Sequence, residues 1–96
     1  MAKSAFAICT ALTAIKIPES VLAISNSCFI SSGLTNIELP HTLHSIKEYA
    51  FAYTPIENII LPDGLADIAF RAFLGCKKLK SIIIPKSVTS VGGGAF

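Results

Sequence analysis

Two residue types recur along this chain with one period. Pro18, Pro40, Pro62 and Pro85 are spaced by 22, 22 and 23 residues, and Phe6, Phe29, Phe51, Phe73 and Phe96 by 23, 22, 22 and 23. Counted from the residue before each Phe, the units are 5–27, 28–49, 50–71 and 72–94, and Ala95-Phe96 opens a fifth. Other columns fall into place on this register. Leu12, Leu34, Ile56 and Leu79 share one slot, and Ile15, Ile37, Ile59 and Ile82 the next. Ile17, Leu39, Leu61 and Ile84 precede the proline; Val21, Leu43, Leu65 and Val88, then Ile24, Ile46, Ile68 and Val91, follow it. A small residue (Ala5, Cys28, Ala50, Ala72 or Ala95) stands before each Phe, and Pro55 is the one proline outside the columns. Self-similarity at a fixed period of roughly 20–50 residues marks an array in which each unit buries its apolar face against its neighbours.

The columns have a mechanical reading. In L-x-x-I-x-[IL]-P the last two apolar residues are two apart, as in a strand with one buried face. Proline ends the strand because it lacks a ladder donor and fixes φ. The next apolar pair, three apart, turns the chain along the opposite side. The small residue admits close backbone approach, and Phe fills the centre of the coil. One coil is too thin to bury these residues alone, but coils stacked at a strand spacing of about 4.8 Å bury them against one another.

The period decides several local ambiguities. Met1-Ala2-Lys3 and the apolar stretch Ala5–Leu12 have the outline of a signal peptide. Phe6, Cys9, Leu12, Ile15 and Ile17 nevertheless occupy slots that recur three more times, so the stretch reads as the first repeat. The apolar runs are too short to span a bilayer. Hydrophobic residues make up 52% of the 96 and charged ones 15%, too apolar a balance for a disordered chain. The net charge of +2 conceals a bias: the six acids lie between Glu19 and Asp67, and Arg71, Lys77, Lys78, Lys80 and Lys86 follow one another with no acid between them. A basic run of this size reads as a solvated edge rather than a nucleic-acid site.

The unit A-F-x-x-C-x-x-L-x-x-I-x-[IL]-P-x-x-[VL]-x-x-I resembles the BspA-type, or Treponema pallidum-type, leucine-rich repeat. The first unit carries it in Ala5-Phe6, Cys9, Leu12, Ile15, Ile17-Pro18, Val21 and Ile24, and the fourth in Ala72-Phe73, Cys76, Leu79, Ile82, Ile84-Pro85, Val88 and Val91. The second and third lack one residue between Phe and the Leu column and place Ser32 or Thr54 near the Cys slot. The resemblance implies an α/β-type repeat class: a right-handed leucine-rich-repeat β-solenoid in one domain over residues 1–96. It has a parallel β-sheet on one side and short turns, 3₁₀ segments or short strands on the other. It also implies a cell-surface or secreted location and adhesion to host extracellular matrix or cell-surface proteins. The family brings no catalytic residues and no cofactor.

The residues themselves add no catalytic constellation, and the chain reads as a non-enzyme. Cys9 and Cys76 share a slot three coils apart, about 14 Å at the strand spacing and beyond disulfide reach; with Cys28 in the small-residue slot, all three read as buried fillers. His41 and His44, three apart in a turn beside Glu38, read as surface histidines rather than metal ligands. Gly92-Gly93-Gly94 has no Lys-Ser/Thr after it and is no phosphate loop; it reads as a flexible, linker-like variant of the coil's return. Ser and Thr fall mostly in variable, solvated slots.

Binding is the more informative question. The outward slots of the strand segment are Thr13, Ala14 and Lys16; Thr35, Asn36 and Glu38; Glu57, Asn58 and Ile60; Lys80, Ser81 and Ile83. Ile60 and Ile83 share a slot in adjacent coils, and an exposed apolar pair on a flat face marks a contact site. The expected protein-binding residues are Lys16, Glu38, Asn58, Ile60, Ser81 and Ile83. Phe70 joins them because its slot otherwise holds Asn26, Glu48 and Gly93. Without polar caps the two ends expose core and a strand edge, so self-association through the ends is expected. The function read from this pattern is a protein–protein interaction module, an adhesin fragment in its fuller form, with a structural spacer as the alternative.

Overall fold

The computed structural model describes residues 13–80 and 82–96. The readings made on Phe6, Cys9, Leu12, the signal-like stretch and Ser81 lie outside the described residues. Six short strands are present: β1 (Ala14–Lys16), β2 (Ala23–Ile24), β3 (Asn36–Glu38), β4 (Ser45–Ile46), β5 (Asp67–Ile68) and β6 (Ser90–Val91). They form two parallel sheets, β1-β3 and β2-β4-β5-β6. The registers reproduce the sequence columns: Ile15 pairs Ile37, and Ile24, Ile46, Ile68 and Val91 stand in one line. Among the described residues there is no helix.

Each proline opens a turn, whether or not a strand precedes it. The carbonyls of Pro18, Pro40, Pro62 and Pro85 accept from the N–H groups of Val21, Leu43, Leu65 and Val88, each at 3.1 Å. The column residue three after Pro thus closes a β-turn whose first residue is the proline. The turn delivers the chain to the second sheet, and the return segment follows. There the small residue and Phe are buried in each described coil: Cys28-Phe29, Ala50-Phe51 and Ala72-Phe73. The rings stack along the axis, Phe29 on Phe51 at 5.4 Å, Phe51 on Phe73 at 5.3 Å and Phe73 on Phe96 at 5.3 Å, within 13° of parallel. Full burial of one such side chain contributes about 1.5–3 kcal/mol, so the ladder of rings is a principal tie between coils.

The return segment also has a backbone rule. Ser27, Tyr49, Arg71 and Gly94 have φ of 55°, 57°, 53° and 65°, and Ser31, Tyr53 and Gly75 have 55°, 59° and 71°. These are two left-handed positions per coil, four residues apart, flanking the Phe. They let alternate N–H groups point to the next coil: Ser27 to Glu48 O at 2.9 Å, Phe29 to Ala50 O at 2.9 Å and Ser31 to Ala52 O at 2.9 Å. The intervening N–H groups close local turns, as Cys28 does on Ser25 O and Ser32 on Phe29 O. The same pattern carries from Phe51 to Ala72 O (2.8 Å) and from Phe73 to Ala95 O (2.7 Å).

Two expectations change here. Among the described residues the sheet expected on the strand side is seen in the first two coils, while the side expected to hold turns or short strands carries the four-stranded sheet. The return bonds recur at each described step. On the strand side, among the described residues, the third and fourth coils have the entry bonds Glu57 N–H to Thr35 O at 3.4 Å and Lys80 N–H to Glu57 O at 3.3 Å. The rings and the return bonds tie the coils together at the described steps. Second, Gly92–Gly94 is not a loose linker. Gly92 donates to Ile68 O at 2.8 Å, Gly93 O accepts from Arg71, and Gly94 takes the left-handed position of Ser27 and Tyr49. Its conformation is that of the other returns.

Candidate functional site

The strand face is built from the residues that alternate with the core columns. Ile37 and Ile59 point inward, and Glu38, Asn58 and Ile60 outward. Lys16 and Glu38, one slot apart along the axis, stand 4.0 Å from each other, and His41 Nδ1 lies 3.5 Å from Glu19 Oε1. Both pairs are solvated and contribute little to stability. A wide, open groove runs along this face over the first three coils, lined by Lys16, Glu38 and Asn58 at its rim and by the edges of Ile15, Ile37 and Ile59 at its floor. Ile60 is 86% exposed and Ile83 is 85% exposed. The face therefore brings together Lys16, Glu38, Asn58, Ile60 and Ile83; Ser81 lies outside the described residues.

Phe70 is not on this face. It sits on the return side, 40% exposed, edge-on to Tyr49 at 6.0 Å, with the Arg71 guanidinium 4.6 Å above its ring. Arg71 also donates to Tyr49 Oη at 3.3 Å. Phe70 is thus one member of a small aromatic and cationic cluster that sequence reasoning treated as a lone residue. The signal was present: Tyr49 and Arg71 are 22 apart and share a slot next to that of Phe70. Asp63, just past the proline, lines the groove with Ile60 and was not among the residues expected there; Lys86, 23 residues on, holds the matching position of the fourth coil and is exposed.

The hydroxyl residues are less uniformly solvated than expected: Ser32, Ser45 and Thr54 are buried. Thr54 occupies the Cys slot of its coil, in contact with Cys76 Sγ at 3.4 Å, and donates to Phe51 O at 2.8 Å; Cys76 Sγ donates to the same carbonyl at 3.1 Å. Burial raises the Cys76 thiol above its ordinary 9.0, against a smaller lowering by Thr54. The thiol is a hydrogen-bonding filler and a poor nucleophile. Cys28 is fully buried in the small-residue slot. His41 and His44 are exposed, and among the described residues no three His, Cys, Asp or Glu side chains converge.

A family model described as BspA type Leucine rich repeat region (6 copies) matches residues 1–96. The chain belongs to the BspA-type leucine-rich repeat family. The family description counts six copies, whereas the period of this chain divides the same residues into four units and the start of a fifth. Among solved structures, this BspA-type chain is similar to a leucine rich cell surface protein from Faecalibacterium prausnitzii, with 31% sequence identity and a TM-score of 0.79. The match covers 91% of this chain and 22% of that one, so the chain spans about a fifth of the length of the protein it resembles. No curated protein matches it. The family is one of leucine-rich interaction repeats, and the match indicates no enzymatic family.

Proposed function

We propose that this BspA-type repeat is a protein-binding module whose binding surface is the strand face, in a protein displayed at a cell surface and acting there as an adhesin. One observation carries the reading: Ile60 and Ile83 lie at one slot of adjacent coils, and both are almost fully exposed. Leaving apolar area in water costs about 25 cal/mol per Å² relative to burying it, and a polar residue at either slot would leave the coil intact. The charged and polar rim of Lys16, Glu38 and Asn58 beside the two isoleucines has the make-up of an interface, with an apolar centre and a polar edge. The family and the cell-surface protein to which the chain is similar support the location and the class of partner.

The double variant Ile60→Glu/Ile83→Glu tests this directly, with immobilised extracellular-matrix proteins as probes. Both side chains are solvated, so the unfolding free energy should change by no more than about 0.5 kcal/mol per substitution, while binding falls at least tenfold. Unchanged binding by a folded variant would move the site off this face. It would instead favour a spacer, whose contacts are with neighbouring coils.

A further inference from the structure

The third and fourth coils repeat one pattern on the strand face with the charge inverted. Glu57, Ile60 and Asp63 stand at three positions of the third coil, and Lys80, Ile83 and Lys86, each 23 residues on, at the same three positions of the fourth. All six are exposed. The ion pairs among the described residues are Lys16–Glu38 and His41–Glu19, so the four charges around the two isoleucines lie in no ion pair within 4.0 Å. Two isoleucines, one flanked by two acids and the other by two bases, form a pattern complementary to itself.

Symmetry decides how two such faces can meet. A two-fold axis lying in the face and running along the strands, between the third and fourth coils, lays coil three of one copy on coil four of the other. Strand direction is preserved, so Glu57 meets Lys80 of the second copy, Ile60 meets Ile83, and Asp63 meets Lys86; the operation repeats each contact. Four isoleucines are then ringed by four pairs of opposite charge. The other face-to-face two-fold, along the solenoid axis, sets each coil on its own copy with strands reversed. Glu57 would then face Asp63, and Lys80 would face Lys86, which leaves four contacts between like charges. Electrostatic complementarity selects the first arrangement and penalises the second.

We propose that the strand face of coils three and four is a docking surface for a second copy of this chain, related by the two-fold axis along the strands. The proposal rests on the strand face being an interaction surface and names its partner. The contact area is small, so the dimer is weak and reversible, and its charge ring makes it weaken as salt rises. The overlap covers the end of the groove at Ile60 and Asp63 and leaves its part over the first two coils, with Lys16 and Glu38, outside the contact.

The test is a charge exchange followed by sedimentation on the full chain, with circular dichroism to verify folding. The parent should dimerise. Lys80→Glu/Lys86→Glu, which makes both flanking pairs acidic, should weaken dimerisation at least tenfold. Glu57→Lys/Asp63→Lys/Lys80→Glu/Lys86→Glu, which exchanges the flanking pairs, should dimerise with itself as the parent does and fail to pair with the parent in mixtures. A parent that stays monomeric at roughly millimolar concentration overturns the proposal. So does a Lys80→Glu/Lys86→Glu variant that associates normally, because the strand-face dimer needs the opposite charges around the isoleucines. Loss of matrix-protein binding in Ile60→Glu/Ile83→Glu, alongside normal association of Lys80→Glu/Lys86→Glu, would sink the dimer and leave the strand-face reading intact.

Discussion

At Gly92 and Gly93 two neighbouring residues of the same type do different things. A Cβ on Gly92 would stand 2.4 Å from the Phe70 nitrogen and 2.7 Å from the Ala69 carbonyl carbon, both backbone atoms with little room to yield. A Cβ on Gly93 would meet only the Phe70 ring edge, at 3.8 Å, an ordinary contact. Gly92→Ala should therefore destabilise by about 1–3 kcal/mol, as overpacking does. Gly93→Ala should be neutral or slightly stabilising, because it removes freedom from the unfolded chain. Thermal unfolding of the two variants separates a packed return from a linker: equal, small effects at both positions would mean the segment is not held against the third coil. The same site shows why the left-handed positions carry no common side chain. Ser27, Tyr49, Arg71 and Gly94 share only a backbone angle; what is required of them is φ, and only glycine adopts that φ without penalty.

Among the elements, the two sides of the coil differ in how completely they are tied. On the return side, β2, β4, β5 and β6 form one sheet, and the N–H groups of Phe51 and Tyr53 reach the next coil at 2.8 and 2.7 Å. On the strand side, among the described residues, the paired strands are β1 and β3. Amide exchange follows local opening, so the amides of Phe51, Tyr53 and Ala69 should exchange far more slowly than those of Asn58 and Ile60, measured residue by residue by NMR. Comparable protection at Asn58 would mean that the strand-side ladder continues in solution. This asymmetry was the least legible part of the fold. The strand columns Ile37–Leu39 and Ile59–Leu61 look alike in sequence, yet only the first belongs to a strand, because hydrogen bonding between coils depends on spacing set elsewhere. The second sheet was hard to read for the opposite reason. Its strands are two residues long, too short for alternation to register. The Phe ladder and the proline turns were legible because each depends on one residue type with a specific job. The exposed isoleucines were legible by subtraction, as apolar residues left over once the columns had been assigned. The Tyr49–Phe70–Arg71 cluster was not, since it forms across the coil boundary.

For the whole molecule, stability is a sum over coils and the contacts between them. The fourth coil has a neighbour on one side only within this chain. Val91 is 50% exposed where Ile68, in the same column, is sealed, and Phe96 is half exposed where Phe73 is sealed. Half-burying three side chains, Ile84, Val91 and Phe96, is worth a few kcal/mol by the usual area coefficient. A coil added there must also offset the entropy of ordering its own residues, which it does through the same columns that hold the existing coils. Extending the chain beyond Phe96 with the sequence of residues 52–71 should therefore raise the thermal midpoint, a net gain of about 1 kcal/mol corresponding to roughly 4–8 °C. Charge sets which extension works best. Residues 52–71 bring Glu57, Asp63 and Asp67 beside Lys80 and Lys86 of the fourth coil, whereas residues 74–94 would lay four more lysines against the four already there. The acidic extension should be the more stabilising at low salt, and the difference between the two should shrink as salt is added. Equal midpoints at low salt would show that side-chain charge plays no part in choosing which coil stacks next, and would also weaken the case for charge-directed pairing of the strand faces.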